Sequence, residues 1–357
     1  MRLIHASDYH SPYPGSFIPM VRAALRLGLE RGLRAEAVFL EGAEERPWID
    51  DLRGDGIPVR FVPHGGLGEL LGQDGEPTIL HVHFSRLQIE AARAVRARKR
   101  TWLWWHVHTP LHPGPVPFAR NVARFGIAGR AAEEILCVAP DLADAVRRRL
   151  GPRRRVEFFP NAIDLERFRP LAPEERRAAR ERLGLPQDAR VLTHFGHDWL
   201  RKGGDLYAGA VRRLADRRDD VVAVTFKPGG GDESGPVRRL DPTPRVEDVY
   251  AAADVFVSPS RAEGMPFAVT EALACGTPVV ASDIPGQRYV CEGHAGGRLV
   301  GLDEAELARA IDEVLAERPD ELAARMAGAR DWLESNMDLR VWAERLFERY
   351  TAAGALT

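Results

Sequence analysis

Short apolar runs alternate with amphipathic stretches along the whole chain. Leu3–Ala6, Ala35–Leu40, Val59–Val62, Ile79–Phe84 and Thr101–Trp105 are runs of strand length, the pattern of strands buried on both faces. Pro19–Arg31, Leu87–Arg98 and Ala139–Leu150 read as helices between them. This alternation predicts a parallel sheet covered on both sides, with a ligand site outside the carboxyl ends of the strands. Glu157–Pro170, EFFPNAIDLERFRP, reads as a connector before a charge-dense helix at Pro173–Leu183. The pattern then restarts, with strands at Val191–Phe195, Val221–Phe226, Val255–Ser258 and Pro278–Ala281. Helices are predicted at Asp205–Arg217, Val246–Ala252 and Phe267–Cys275. The chain therefore reads as α/β with two successive domains, residues 1–165 and 166–335, facing across a cleft. A tail, 336–357, is expected to pack back towards the first domain. A helix over Asp331–Tyr350, anchored by Trp332, Trp342, Leu346 and Tyr350, supplies that packing.

A length of 357 residues is long for one core and comfortable for two. Net charge is −2 but unevenly spread: residues 1–165 hold 23 Lys/Arg against 19 Asp/Glu, and the rest 27 against 33. A mildly basic first half suits an anionic ligand and falls short of a nucleic-acid signature. Arg93, Arg96, Arg98, Lys99 and Arg100, with Arg147–Arg149 and Arg153–Arg155, form basic patches. Docking on an anionic membrane is one use for them and a solvated face the plainer one. Cys137, Cys275 and Cys291 are odd in number and have no metal-like spacing, as in a reducing compartment. MRLIHASDYHSPYP lacks the apolar run of a signal peptide. A cytoplasmic location, with peripheral contact at the inner membrane face as an option, is expected.

The richest stretch is Ser258–Gly286, SPSRAEGMPFAVTEALACGTPVVASDIPG. Glu263 falls in the turn after a strand and Glu271 one to two turns into a helix. A helix rises about 1.5 Å per residue, so the two carboxylates are spaced to grip two parts of one elongated ligand. The backbone N–H groups of Met265, Phe267 and Ala268 lie at that helix N-terminus, which favours an anionic or polyhydroxyl ligand. Pro228–Pro236, PGGGDESGP, reads as a surface connector, since no phosphate-loop lysine or serine follows it. The pairs His81/His83 and His106/His108 have strand spacing that puts both rings on one face. No carboxylate or cysteine completes a metal set, so no metal is expected. On the tryptophan-rich strand, Trp102 and Trp104 share a face and read as core, whereas Trp105 at the strand end reads as lining the cleft.

With these elements placed, the chain resembles the retaining, nucleotide-sugar-dependent glycosyltransferases of the large bacterial family (family 4-like) that includes polysaccharide and glycolipid mannosyl- and glucosyltransferases. Glu263, Gly264, Glu271, Ala272, Gly276, Pro278, Val279, Val280 and Ala281 match its EG…EA…GxPVVA pattern. The resemblance implies two Rossmann-like domains facing across a cleft, the GT-B fold. It further implies that Glu271 holds the ribose hydroxyls of the donor and Glu263 the sugar hydroxyls. FGHDWLRKGGDLY (Phe195–Tyr207) resembles the GR…KG loop that holds the diphosphate. Gly196, Lys202 and Gly203 match it, and His197 stands at the arginine position. Arg201, next to Lys202, is expected to point elsewhere. HSPYPGSFI (His10–Ile18) is similar to the first glycine loop through Gly15. WHVHTP (Trp105–Pro110) places His108 at the histidine that approaches the donor sugar, with His106 in place of a hydroxyl residue. Asn161–Asp164 is similar to the hinge NGVD, with Ala162 replacing glycine, and Val237–Leu240 stands where the base-binding strand is expected.

The implied function is transfer of a sugar from a nucleotide-diphosphate sugar to a hydroxyl acceptor, with retention and without a metal or other cofactor. His108, Lys202 and Glu263 are the implied catalytic residues. Gly15, Gly196, His197, Gly264, Met265, Phe267, Ala268 and Glu271 complete the implied donor site. Two alternatives stay open: a sugar-nucleotide epimerase on the same scaffold, and a non-catalytic protein that binds nucleotide sugar.

Overall fold

The computed structural model describes residues 1–72, 75–96, 98–111, 115–150, 155–227 and 235–356. It divides into two units, Met1–Ala162 with Met337–Thr357, and Ile163–Asn336. The glycine-rich stretch at 228–234 and Arg153 and Arg154 of the second basic patch lie outside the described residues.

The first unit is a seven-stranded parallel sheet of β1 (Arg2–Ser7), β2 (Arg34–Leu40), β3 (Val59–Val62), β4 (Thr78–His83), β5 (Thr101–Val107), β6 (Glu134–Cys137) and β7 (Arg155–Phe158). Its strands lie in the order β3-β2-β1-β4-β5-β6-β7, so the order reverses between β1 and β4. Helices α1 (Phe17–Glu30), α2 (Trp48–Gly54), α3 (Leu67–Leu71), α4 (Gln88–Val95), α5 (Pro115–Asn121) and α6 (Pro140–Leu150) connect them. The central strands are buried almost throughout, as expected of a sheet covered on both faces. β6, EILC, and β7, RVEF, are not among the strands read from sequence, and pairing onto β5 and β6 sets them. β5 runs two residues beyond its tryptophans. Trp105 is therefore inside the strand, fully buried and packed against Phe125, which removes it from any cleft wall.

The second unit holds β8 (Arg190–Phe195), β9 (Val221–Phe226), β10 (Arg238–Leu240), β11 (Val255–Ser258), β12 (Val279–Ser282) and β13 (Gly297–Val300). They form a parallel sheet ordered β10-β9-β8-β11-β12-β13, reversing between β8 and β11. Its helices are α7 (Pro173–Arg182), α8 (Gly204–Ala215), α9 (Val246–Ala252), α10 (Phe267–Ala274), α11 (Pro285–Glu292), α12 (Glu304–Leu315) and α13 (Pro319–Met337). Tyr207, Val211 and Leu214 of α8 and Leu307, Ile311 and Val314 of α12 close one core over Leu192, Val257 and Val280. A second core forms where Ala179, Val249 and Ala252 meet Val191, Val224 and Phe226. Arg180 of α7 is 4% exposed; it donates to the Ala252 carbonyl at 3.0 Å and to Asp254 at 2.7 Å, fastening that helix to the sheet end.

The tail is two helices. α13 ends at Met337, and α14 (Leu339–Ala352) restarts behind Asp338, whose carboxylate accepts the Arg340 and Val341 N–H groups. That N-cap breaks the continuous helix expected there. Trp332 consequently packs in the second unit against Tyr289 and His294. Trp342, Leu346 and Tyr350 are buried in the first unit, where α14 lies on α1. Among the described residues no helix is long and apolar enough to cross a membrane.

Candidate functional site

Ligands of open parallel sheets sit outside the carboxyl ends of the strands, where strand order reverses. In the second unit that point lies between β8 and β11, and the two loops leaving these strands meet there. The loop after β8 winds into a turn in which the Lys202 N–H donates to the Asp198 carbonyl at 2.7 Å and Gly204 to Trp199 at 2.8 Å. Gly203 closes it with φ +72, and a Cβ there would sit 1.9 Å from the Pro259 carbonyl oxygen. No other residue type fits so close an approach in a left-handed conformation. The result is a short lysine arm held directly over the β11 loop. Lys202 Nζ donates to Glu263 Oε1 at 2.7 Å, with both side chains largely buried.

Arg201 does not point elsewhere. Its Nε donates to Asp198 at 2.7 Å, and its Nη1 lies 3.6 Å from Glu263 Oε2. Consecutive side chains on a helical turn diverge by only about 100°, and both arms are long enough to reach one carboxylate. Arg201 Nη2 also stands 3.5 Å from His197 Nε2. Desolvation, then repulsion from Lys202 and Arg201, lowers the His197 pKa to about 4. The ring is solvent-exposed, so the two cations are the firmer cause. With nothing bound, His197 is neutral at pH 7, and the cations of this loop are Arg201 and Lys202. Gly196, buried at the end of β8, would bring a Cβ to 2.7 Å from Thr225 Oγ1.

Beyond Glu263 the chain runs through buried Gly264 and Met265 into α10. Phe267 and Ala268 open that helix, ahead of its first turn bond from Thr270 N–H to the Pro266 carbonyl at 3.5 Å. Gly286 of α11 packs against the same loop: a Cβ on it would lie 2.3 Å from the Glu263 carbonyl and 2.5 Å from that of Gly264. Glu271 is 6% exposed on α10, and Tyr250 of α9 donates its hydroxyl to Oε2 at 2.5 Å. The Tyr250 phenol pKa is raised, by burial first and then by the adjacent carboxylate. Tyr250 is a site residue that sequence reasoning missed, because its partner lies 21 positions away on another helix.

In the first unit, Gly15 (φ +53) ends the loop between β1 and α1. Tyr9 Oη donates to the Tyr13 carbonyl at 2.8 Å and Trp48 Nε1 to that of Ser11 at 3.0 Å, shaping this loop from both sides. His108 follows β5. Its Nδ1 is 3.2 Å from Asn161 Oδ1 and its Nε2 3.1 Å from His83 Nδ1. Burial lowers its pKa to about 3, so the ring is neutral. Ala162 has no left-handed φ, so its replacement of glycine leaves no strain.

His108 is one end of a row. Register pairs His5 with His81, His81 with Trp104 and His83 with His106, so five histidines stand on one sheet face beneath α14. Nitrogens of His81, His83 and His106 lie within 4.8 Å of one another. A metal needs imidazole lone pairs, which lie in the ring planes, to converge on one point. Here His83 is stacked on His81 and on His106 with interplanar angles of 19° and 26°. Both His83 nitrogens are also engaged, with His5 and His108. In this rotamer set the donors do not converge.

The basic patches are partly structural. Arg98 donates to the carbonyls of Gly68 at 2.7 Å and Gly72 at 3.1 Å, and Arg147 to that of Val156 at 2.8 Å. All three cysteines are buried, and burial raises their thiol pKa values.

Known proteins resemble this chain in sequence and in fold. Residues 189–317 match the family model "glycosyl transferases group 1", and residues 41–167 match "glycosyltransferase family 4". The chain is 36% identical over 411 residues to a D-inositol 3-phosphate glycosyltransferase of Geodermatophilus obscurus, covering 98% of this chain and 88% of the relative. It is 33% identical over 378 residues to D-inositol 3-phosphate glycosyltransferase 2 of Catenulispora acidiphila, covering 90% and 87%. Among solved structures it resembles Anabaena Alr3699/HepE in complex with UDP, with TM-score 0.80, 19% identity and coverage of 99% and 100%. A glycosyltransferase from Rickettsia africae gives TM-score 0.81 at 14% identity, covering 100% and 99%.

Proposed function

The chain belongs to the group 1, or family 4, glycosyltransferases, and from that premise we propose that it moves a sugar from a nucleotide-diphosphate sugar to a hydroxyl acceptor, with retention and without a metal. The observation that carries this reading is the Lys202–Glu263–Arg201 cluster at the strand-order reversal of the second unit.

Breaking the bond between the anomeric carbon and phosphate leaves negative charge on the diphosphate and positive character on the sugar ring. In this reading Lys202, Arg201 and the Phe267 and Ala268 N–H groups hold the diphosphate. Glu263 orients the sugar hydroxyls, and Glu271, fixed by Tyr250, takes the ribose. Gly15 and Gly196 let the backbone approach the phosphates closely. In a front-face displacement the acceptor oxygen bonds to the anomeric carbon on the side the phosphate leaves. The acceptor proton passes to the departing phosphate oxygen. That requires no second catalytic carboxylate, and the family resemblance gives His108, a neutral ring, the role of the histidine that approaches the donor sugar.

The structural neighbours with UDP and UDP-glucose make a UDP-sugar the first donor to try. The names of the relatives make an inositol phosphate the first acceptor, which the basic first half suits. A cytoplasmic location with peripheral membrane contact belongs to the same reading, and vesicle sedimentation tests the contact. The test of function is incubation with UDP-, GDP-, ADP- and TDP-sugars and an inositol phosphate, with the product anomer read by NMR. A glycoside with the donor's anomeric configuration supports the reading. An inverted product overturns retention. An altered nucleotide sugar formed without acceptor favours an epimerase, and binding without turnover across acceptors favours a non-catalytic protein.

A further inference from the structure

Four of the five histidines in the first unit's row, all but His106, form one hydrogen-bonded chain with Tyr350 and Asn161. His81 Nδ1 lies 2.6 Å from Tyr350 Oη, which in turn is 3.5 Å from His5 Nε2. His5 Nδ1 is 2.9 Å from His83 Nε2, His83 Nδ1 is 3.1 Å from His108 Nε2, and His108 Nδ1 is 3.2 Å from Asn161 Oδ1. A neutral imidazole has one donor and one acceptor nitrogen. His5, His81 and His83 are buried and His108 is half-buried, and desolvation shifts all four towards neutrality. Fixing one proton therefore fixes all of them.

Two ends set the direction. Asn161 presents an amide oxygen, so His108 donates from Nδ1 and accepts at Nε2. At the other end, His81 Nε2 is buried without a partner. If Tyr350 donated to His81 Nδ1, that orphan would be an N–H, the costlier group to leave unpaired. With His81 donating to Tyr350, and Tyr350 to His5, the orphan is a bare lone pair. Both ends give the same polarity, with Nδ1–H on every ring. The surroundings hold His108 in place as well. Its ring lies 4.7 Å from Phe84 and 5.6 Å from Phe17. Phe84 is the one non-glycine among the described residues with positive φ, at +60, a strained conformation of the kind that persists where neighbours over-determine it.

We propose that the row Tyr350–His5–His83–His108–Asn161 locks His108 as the uncharged Nδ1–H tautomer, making His83 and His5 positioning residues for glycosyl transfer. The catalytic consequence rests on the reading of His108 given above. A sugar ring acquiring positive character is destabilised by a cation beside it, and a ring with both nitrogens engaged neither charges nor swings.

The direct test is 15N–1H NMR of the whole protein labelled at histidine, with His5, His83 and His108 assigned by single substitution. The expected result at pH 7 is a protonated Nδ1 and a bare Nε2 on all three; Nε2–H on His108 would overturn the lock. The second test compares two substitutions in proteins verified as folded. His83→Leu removes the donor to His108, whereas His83→Gln keeps an N–H for His108 and a carbonyl for His5. The expected result is kcat down about tenfold or more in His83→Leu at nearly unchanged donor KM, with His83→Gln within about threefold of the parent. Equal losses in both variants overturn the positioning role. Full transfer by His108→Ala would overturn the catalytic consequence and the site reading together. The tautomer spectrum distinguishes that failure from failure of the lock.

Discussion

Lys202 and Glu263, 61 positions apart in the chain, meet at 2.7 Å at the strand-order reversal of the second unit. Each belongs to a different loop, and each was read from sequence as a contact to a different part of one donor. In the structure they are first of all partners of one another, with Arg201 3.6 Å from the second carboxylate oxygen. Lys202→Ala is expected to lower kcat by about a hundredfold, the usual loss when one donor to a developing oxyanion is removed. A double-substitution cycle with Glu263→Gln is expected to show coupling above about 0.5 kcal/mol, because each residue sets the other's position. Strict additivity in steady-state kinetics would separate them.

Tyr250→Phe removes the 2.5 Å hydrogen bond to buried Glu271 and nothing else of comparable size. A buried carboxylate oxygen left without its donor costs about 1–3 kcal/mol. Calorimetric titration with UDP is expected to show affinity down by about tenfold, and unchanged affinity would remove Glu271 from the nucleotide site.

His106 is fully buried, and apart from a weak approach to the Phe159 backbone neither ring nitrogen is hydrogen-bonded. It is stacked 4.4 Å from His108 and 6.2 Å from Trp342, in surroundings that suit a phenyl ring. His106→Phe is therefore expected to stabilise the first unit by about 1–2 kcal/mol, since an orphaned buried polar group disappears at similar volume. Thermal unfolding checks this, and a lower Tm would mean that His106 has a partner.

Acid should unfold the first unit early. Burial lowers the pKa of His5 and His108 to about 3 and those of His81, His83 and His106 well below 6.5. In the unfolded chain each titrates near 6.5, so below that pH the unfolded state binds more protons. Stability is complete above about pH 6.5 and falls as pH drops towards 3, by roughly 2 kcal/mol at pH 5 for each of His5 and His108, with further losses in the same direction from the other three. Urea unfolding at pH 7.5 and 5.5 should show the drop, reduced in His106→Phe. A pH-independent midpoint would contradict the neutral row.

Gly203→Ala is expected to abolish donor binding in a folded protein, because its Cβ would enter the Pro259 carbonyl and displace the Lys202 arm. Normal UDP affinity in this variant, measured by calorimetry, would show that the turn tolerates the shift.

The alternation of strands and helices, the restart after the connector, and the strand-end positions of Glu263, Lys202 and His108 were all legible in the sequence. Period and position along a strand are local properties, set by which neighbours must be buried. Strands β6 and β7 were missed: each begins or ends on charged positions, and their strand state follows from pairing onto β5 and β6. So was the break at Asp338, where a cap interrupts an otherwise helical run. Tertiary structure alone decided the pairings: Lys202 with Glu263, Arg201 drawn to the same carboxylate, Tyr250 on Glu271, and two HxH pairs joined with His5 into one row. These depend on which strands lie side by side and how they register. Sheet order brings together residues dozens of positions apart, and no local pattern records that order.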